Sequence, residues 1–133
     1  VEARVAYDGR KVHFLAICRD EILPAPTEAV NPMTLLLDTD RDKATGWEGY
    51  DFKITDGLLY GWQDGAFREI AAVEAVQRGN ALMVTVDREL LGLSGEGKPT
   101  FEFKWIDSIG LDDVMNFYRD GDAAPFGRFN FIY

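Results

Sequence analysis

The stretch Tyr50–Asp87, YDFKITDGLLYGWQDGAFREIAAVEAVQRGNALMVTVD, decides the fold. Asp56-Gly57, Asp64-Gly65 and Gly79-Asn80 are favoured hairpin junctions, because aspartate, asparagine and glycine tolerate the positive φ that two-residue turns need. They divide the stretch into short units rich in strand formers: Tyr50–Thr55, Leu58–Trp62, Ala66–Ile70, Val73–Arg78 and Ala81–Asp87. The reading is a meander of antiparallel strands.

The same grammar extends in both directions. Upstream, Lys11–Cys18 places Val12, Phe14, Ala16 and Cys18 on one pleat face. With Glu2–Tyr7 and the Asp8-Gly9 turn it forms a hairpin. Pro24, Pro26 and Pro32 make residues 21–32 a connection, and Met33–Asp38 is the next strand. Downstream, Thr100–Asp107 alternates Phe101, Phe103 and Trp105 with Glu102 and Lys104, and Arg128–Tyr133 alternates Phe129, Phe131 and Tyr133 with Arg128 and Asn130. The most helix-like piece is Arg88–Leu91, one turn at most. About ten short one-sided strands without a long amphipathic helix predict an all-β fold. The expected architecture is an antiparallel β-sandwich of two sheets, jelly-roll-like, over residues 1–133 as a single domain. The chain opens at Val1 in a strand-like pattern without an initiator Met, as expected of a domain cut from a longer protein.

Composition narrows the function. With 14 Lys+Arg against 23 Asp+Glu, the formal charge is −9, which repels phosphate backbones and anionic lipid and argues against nucleic-acid binding. No apolar run approaches the ~20 residues of a membrane span, so membrane insertion is not expected either. At 47% apolar and 13% aromatic residues, the chain can fill a core. Its one cysteine, Cys18, rules out an internal disulfide framework and reads as a small core residue.

The densest polar motif is Asp38–Asp51, DTDRDKATGWEGYD. Asp38, Asp40 and Asp42 alternate, and a curled backbone would converge their carboxylates, with Asp51 nearby, as calcium loops do with hard oxygen ligands. The pattern is not an EF-hand, since Lys43 stands at the sixth position and Gly49 at the twelfth. The alternative is a solvated turn partly neutralised by Arg41 and Lys43. A second acidic group, Asp107, Asp112, Asp113, Asp120 and Asp122, reads as a solvated loop that a shared cation could join to the first.

Tryptophan and tyrosine faces stack on the C–H surface of pyranose rings, and Trp47, Tyr50, Trp62 and Tyr118 fall at strand ends or loops where such a platform could form. Trp105, inside an aromatic strand, is assigned to the core. For catalysis the pattern is thin. His13 is the single histidine and lies on a strand with no Ser or Cys motif beside it, and phosphate-binding glycine loops are absent. No enzyme activity is expected.

The segments LLLDTDRDKATGWEGYDFKI (Leu35–Ile54) and FEFKWIDSIGLDDVMNFYRDGDAAPFGRFNFIY (Phe101–Tyr133) resemble the β-sandwich domains similar to family 9 carbohydrate-binding modules, within the broader DOMON-like group. The resemblance runs from the first hairpin to the last strand. Its strongest motifs are D-x-D-x-D-x-x-T-G-W and the closing G-R-F-N-F. It implies a non-catalytic carbohydrate-binding accessory domain of a secreted or cell-surface bacterial protein, with calcium bracing loops and a polysaccharide or oligosaccharide as ligand. The rival is a docking sandwich packed on an adjacent catalytic domain of a parent enzyme. The family's two sandwiching tryptophans align with Val30-Asn31-Pro32 and Asp120–Ala124, where this chain has no aromatic, so a sugar site would need Trp47, Tyr50, Trp62 or Tyr118. Haem-holding relatives suggest His13 with Met33, Met83 or Met115 as an iron pair. No haem is expected.

Overall fold

The computed structural model describes residues 2–22, 33–107, 122–125 and 130–133. Eleven strands are formed: β1 Glu2–Tyr7, β2 Lys11–Ile17, β3 Thr34–Asp38, β4 Phe52–Thr55, β5 Leu58–Gln63, β6 Ala66–Ala72, β7 Glu74–Arg78, β8 Ala81–Asp87, β9 Glu102–Asp107, β10 Asp122–Ala124 and β11 Phe131–Ile132. A single 3-10 turn, Arg88–Leu91, follows β8. One antiparallel sheet has the order β1-β2-β8-β7, and the other β10-β9-β3-β4-β5-β6, with β11 also paired to β9. The chain passes between sheets at β2–β3, β6–β7 and β8–β9. The fold is the all-β sandwich expected from the turn spacing.

The hairpin chemistry is as read. Asp56-Gly57 and Asp64-Gly65 take φ of 51° and 73°, and 52° and 79°, so both residues of each turn are left-handed, the geometry that matches strand twist. The two inner faces meet in one core: Val12, Phe14, Ala16, Val84 and Val86 from the small sheet, and Leu35, Leu37, Ile54, Leu59, Phe103 and Trp105 from the large one. Phe14 packs between Phe101 and Phe103, with ring centroids 5.5 and 5.9 Å away.

Most strand bounds shift by one or two residues from the sequence reading, and three differences bear on the sites. Tyr50 is outside β4 and makes a two-residue bridge with Trp47 instead. The segment Asp122–Ala124, read as acidic loop, is an edge strand paired to Asp107–Trp105. The closing strand is Phe131–Ile132 in the described residues, and Arg128 and Phe129 lie outside them.

The larger difference is that β3 is buried on both faces. Leu36 on the outward side joins Tyr50 and Ile106 in a second small cluster, with Trp47 and Ala123 packed against it. Lys104, opposite Leu36 on β9, is fully buried on this same outward face and donates to the Pro125 carbonyl oxygen at 3.0 Å. The unbroken apolar run Leu35–Leu37 is the mark of a strand covered on both sides. Alternation describes β2 and misses β3.

Candidate functional site

The loop after β3 is organised by its own aspartates. Asp42 Oδ1 accepts from the Ala44 N–H at 2.9 Å, Asp40 Oδ1 accepts from the Asp42 N–H at 2.9 Å, and the Thr45 hydroxyl donates to Asp40 Oδ2 at 2.6 Å. Arg41 sits at φ 57°, which turns the chain between Asp40 and Asp42. Across the loop, the Asp51 N–H donates to the Leu37 carbonyl oxygen at 2.8 Å, so strand pairing itself carries Asp51 beside Asp38. Its Oδ2 accepts from the Thr39 N–H at 2.9 Å. The result is that Asp38, Asp40 and Asp51 each offer a carboxylate oxygen, all within 4.8 Å of one another. Asp42 serves the turn and is not in the trio.

Electrostatics make this trio unusual for a surface loop. Asp38 is fully buried, and its Oδ1 has no hydrogen-bond partner, while Oδ2 accepts from Lys43 Nζ at 2.8 Å. Burial, helped by the neighbouring Asp40, pushes the Asp38 carboxyl above its ordinary value of 3.8, against the pull of Lys43. Burial also raises Asp51, with the Asp40 and Asp38 charges adding to it. Asp40 is held below the ordinary value by the Thr45 hydroxyl. Lys43 also reaches Glu102 Oε1 at 3.0 Å, and these two carboxylates together raise its ammonium in spite of burial. A hard cation bound by oxygen ligands would give the orphaned buried Oδ1 the partner it lacks. The all-carboxylate donor set fits calcium, with no histidine or cysteine in it.

The loop closes through Trp47-Glu48-Gly49-Tyr50, where Trp47 and Tyr50 exchange both backbone bonds at 2.8 Å. Just before it, Gly46 has φ 72°, and a Cβ there would lie 2.2 Å from the Tyr50 carbonyl oxygen. Gly46→Ala is therefore expected to cost about 2 kcal/mol, from the left-handed backbone and the displacement of Tyr50. Chemical denaturation measures it; an unchanged midpoint and slope would show that the loop is not fixed to β4 in this way.

The aromatic candidates do not form an open platform. Tyr50 is buried, and its hydroxyl donates to Asn130 Oδ1 at 2.6 Å. Trp47 and Trp62, both half-buried, share Phe67 between them edge to face, at 6.0 and 5.1 Å with interplanar angles of 62° and 75°. Lys53 lies over Tyr60 and Phe67 at 4.8 and 4.9 Å. These edge-to-face contacts with Phe67 tie both indoles into one cluster on the large sheet. Tyr118 lies outside the described residues, as do Asp112, Asp113, Asp120 and Met115.

A concave site lies elsewhere, at the end of the sandwich where β2, β9 and β10 run out. A cavity of about 680 Å³ opens there, lined by Cys18–Ile22, Met33, Trp105–Asp107, Ala123–Pro125 and Phe131. Its wall is mixed: Arg19, Asp20, Glu21 and Asp107 give charge, and Trp105, Phe131, Ile22 and Met33 give apolar surface. Trp105, only 2% exposed, has an indole N–H without a hydrogen-bond partner. Buried indole N–H groups ordinarily find an acceptor. Trp105 reads as core from its strand, and the structure has it both in the core and at the cavity wall, because the sandwich ends beside it.

His13 stands on the outward face of the small sheet, its Nδ1 2.9 Å from Thr85 Oγ1 and its Nε2 3.7 Å from Asp8 Oδ2. Asp8 is occupied with the hairpin turn, accepting from the Arg10 and Lys11 N–H groups at 2.7 and 2.8 Å, and those bonds lower its carboxyl. This is a cross-strand fastening of the first hairpin.

Comparison of the chain with protein-family models, with curated proteins and with solved structures finds no match in any of the three.

Proposed function

We propose that the chain is a non-catalytic saccharide-binding β-sandwich of a secreted or cell-surface protein, with a calcium ion bracing the loop after β3. The observation that carries the reading is the cavity at the sandwich end, whose wall joins apolar Trp105, Phe131, Ile22 and Met33 to polar Arg19, Asp20, Glu21 and Asp107. Saccharides need apolar surface for their C–H faces and planar polar groups for their hydroxyls, and this wall supplies both. Its volume of about 680 Å³ falls in the ~300–1,000 Å³ range of small-molecule sites. The sequence resemblance supports the same ligand class independently. It differs in the residues that do the work: Trp105 with the polar Arg19–Glu21 and Asp107 rim takes the place of Trp47, Tyr50 and Trp62. The cation, held by Asp38, Asp40 and Asp51, would stiffen a loop of the same large sheet without touching the ligand.

Affinity electrophoresis through gels containing soluble xylan, mixed-linkage β-glucan or galactomannan, followed by calorimetry with the matching oligosaccharides, tests the proposal. Retardation by at least one polymer is expected. Arg19→Ala and Asp107→Ala each remove a polar group of the wall, so affinity should fall about three- to tenfold for each, the worth of one hydrogen bond. Trp62→Ala should leave binding intact. Retardation by none of these polymers, or binding that depends on Trp62 and ignores Arg19 and Asp107, sinks the cavity reading. Absence of glycan binding together with tight packing on a neighbouring domain of the parent protein would favour the docking module.

A further inference from the structure

The small sheet ends at β7, an edge strand whose two charges, Glu74 and Arg78, are of opposite sign. All five residues, Glu74–Arg78, are exposed, and the strand contains no proline, lysine or bulge. Counting the antiparallel alternation from the two-residue turn at Gly79-Asn80 aims the N–H and C=O groups of Ala75 and Gln77 away from β8. Among the described residues nothing bonds those groups. The Gln77 side-chain amide, by contrast, is engaged with the Ile22 carbonyl oxygen, which holds the strand in place.

The sequence of β7, Glu-Ala-Val-Gln-Arg, is complementary to itself. An antiparallel copy centred on Val76 sets Glu74 opposite Arg78 twice, and Ala75 opposite Gln77 twice. The Ala75–Gln77 pairs are then the hydrogen-bonded ones, and the Glu74–Arg78 pairs fall at non-hydrogen-bonded positions, where side chains come closest. Neither Glu74 nor Arg78 is in an ion pair among the described residues, so both charges are available. On the outer strand β6, no symmetric register of AFREIAA opposes Arg68 and Glu69, and on β1, EARVAY, a centre at Ala3 would oppose Glu2 and Arg4, which already pair with each other along the strand at 2.6 Å.

The outward face adds a third argument. Leu15, Met83 and Val76 pair across β2, β8 and β7 in one apolar row, in which Met83 and Val76 are each 37% exposed. Two sheets joined at β7 would run this row unbroken across the symmetry axis.

We propose that β7 is a homodimer interface, in which two copies join edge to edge about a two-fold axis through Val76 to make one continuous eight-stranded sheet. The contact is self-complementary in hydrogen bonding, charge and apolar surface, as an isologous interface must be. It is small, and each copy carries a charge of −9, so the dimer is weak and concentration-dependent.

Sedimentation equilibrium at ~0.15 M salt should show a monomer–dimer equilibrium with a dissociation constant of about 0.1 mM. Ala75→Pro removes a donor that the internal ladder does not use, so it should leave the melting temperature near wild type while abolishing the dimer. Glu74→Arg and Arg78→Glu each set like charges face to face and should weaken association by about tenfold or more. The double swap, Glu74→Arg with Arg78→Glu, restores opposite charges and should recover wild-type affinity to within about threefold. A wild-type chain monomeric at ~1 mM, a dimer indifferent to Ala75→Pro, or a double swap no tighter than the single variants overturns the proposal.

Discussion

Raising the pH from neutral to about 10 is expected to stabilise the fold by roughly 2–3 kcal/mol through one side chain, Lys104. The residue lies fully buried on the outward face of β9, and burial pushes its ammonium down to about 8 from the ordinary 10.5. A lysine whose folded value is depressed releases its proton earlier in the native chain than in the unfolded one. Between about 8 and 10.5 the unfolded state therefore binds more protons, and stability rises with pH through that window. Below it, the native state keeps a charge that burial disfavours. Half-buried Lys53, lowered by the same cause, adds to the trend, while growing net negative charge opposes it. The clean measurement is the difference between wild type and Lys104→Met in urea titrations across the range. Methionine fills nearly the same volume without a proton to lose, so its profile should be flatter by roughly 2–3 kcal/mol. At neutral pH the two effects of the substitution oppose each other, since it removes the buried charge but takes the donor from the Pro125 carbonyl. Parallel profiles would mean that Lys104 keeps an ordinary ammonium.

The same residue shows what the sequence conceals. Alternation along FEFKWID assigned Phe103 and Trp105 inward correctly, and with that rule Glu102 and Lys104 belong to solvent. The rule assumes a sheet covered on one side. At β3 and β9 the large sheet is covered on both, by residues distant in sequence such as Tyr50 and Ala123, and no local pattern on β9 announces a cover. The LLL run of β3 does announce it, because an apolar residue at each successive position leaves no face for water. Hairpin turns were legible because Asp-Gly and Gly-Asn carry their own backbone geometry; β10 was not, since Asp-Ala-Ala has no strand signal and is extended only because β9 offers an edge. In the functional sites the division is the same. Trp105 reads as core from its strand and becomes a cavity wall only because the sandwich ends beside it. Trp47 and Trp62 read as exposed ends, and the β5–β6 pairing that sets Trp62 opposite Phe67 turns them into a cluster.

Calcium is expected to raise the melting temperature by about 5–10 °C at a concentration a hundredfold above its dissociation constant, which corresponds to ~2.7 kcal/mol. The period-two spacing points to Asp38, Asp40 and Asp42, converged by a curled backbone, with Asp51 nearby. The chain does curl, at left-handed Arg41, but the curl takes Asp42 into the turn and leaves its place to Asp51, which the Leu37 backbone bond brings across. The two sets make different predictions. Asp42→Asn should shorten the turn's stability slightly and keep the calcium shift, whereas Asp51→Asn should abolish most of it. Asp38→Asn separates binding from folding further. Because burial already disfavours the Asp38 carboxylate, the variant should melt no lower than wild type in chelator, yet gain nothing from calcium. The pH dependence carries the same signature with opposite signs. In chelator, the raised Asp38 and Asp51 carboxyls make the native state take up protons first, so their contribution to stability grows as pH falls through their folded values towards 3.8. With calcium bound the carboxylates must stay ionised, so protons compete with the ion and its shift fades over that same window. Magnesium, which demands a tighter octahedron, should give the smaller shift of the two. Equal melting in calcium and in chelator across this range would leave the trio as an acidic turn held by Lys43, Thr39 and Thr45 without an ion.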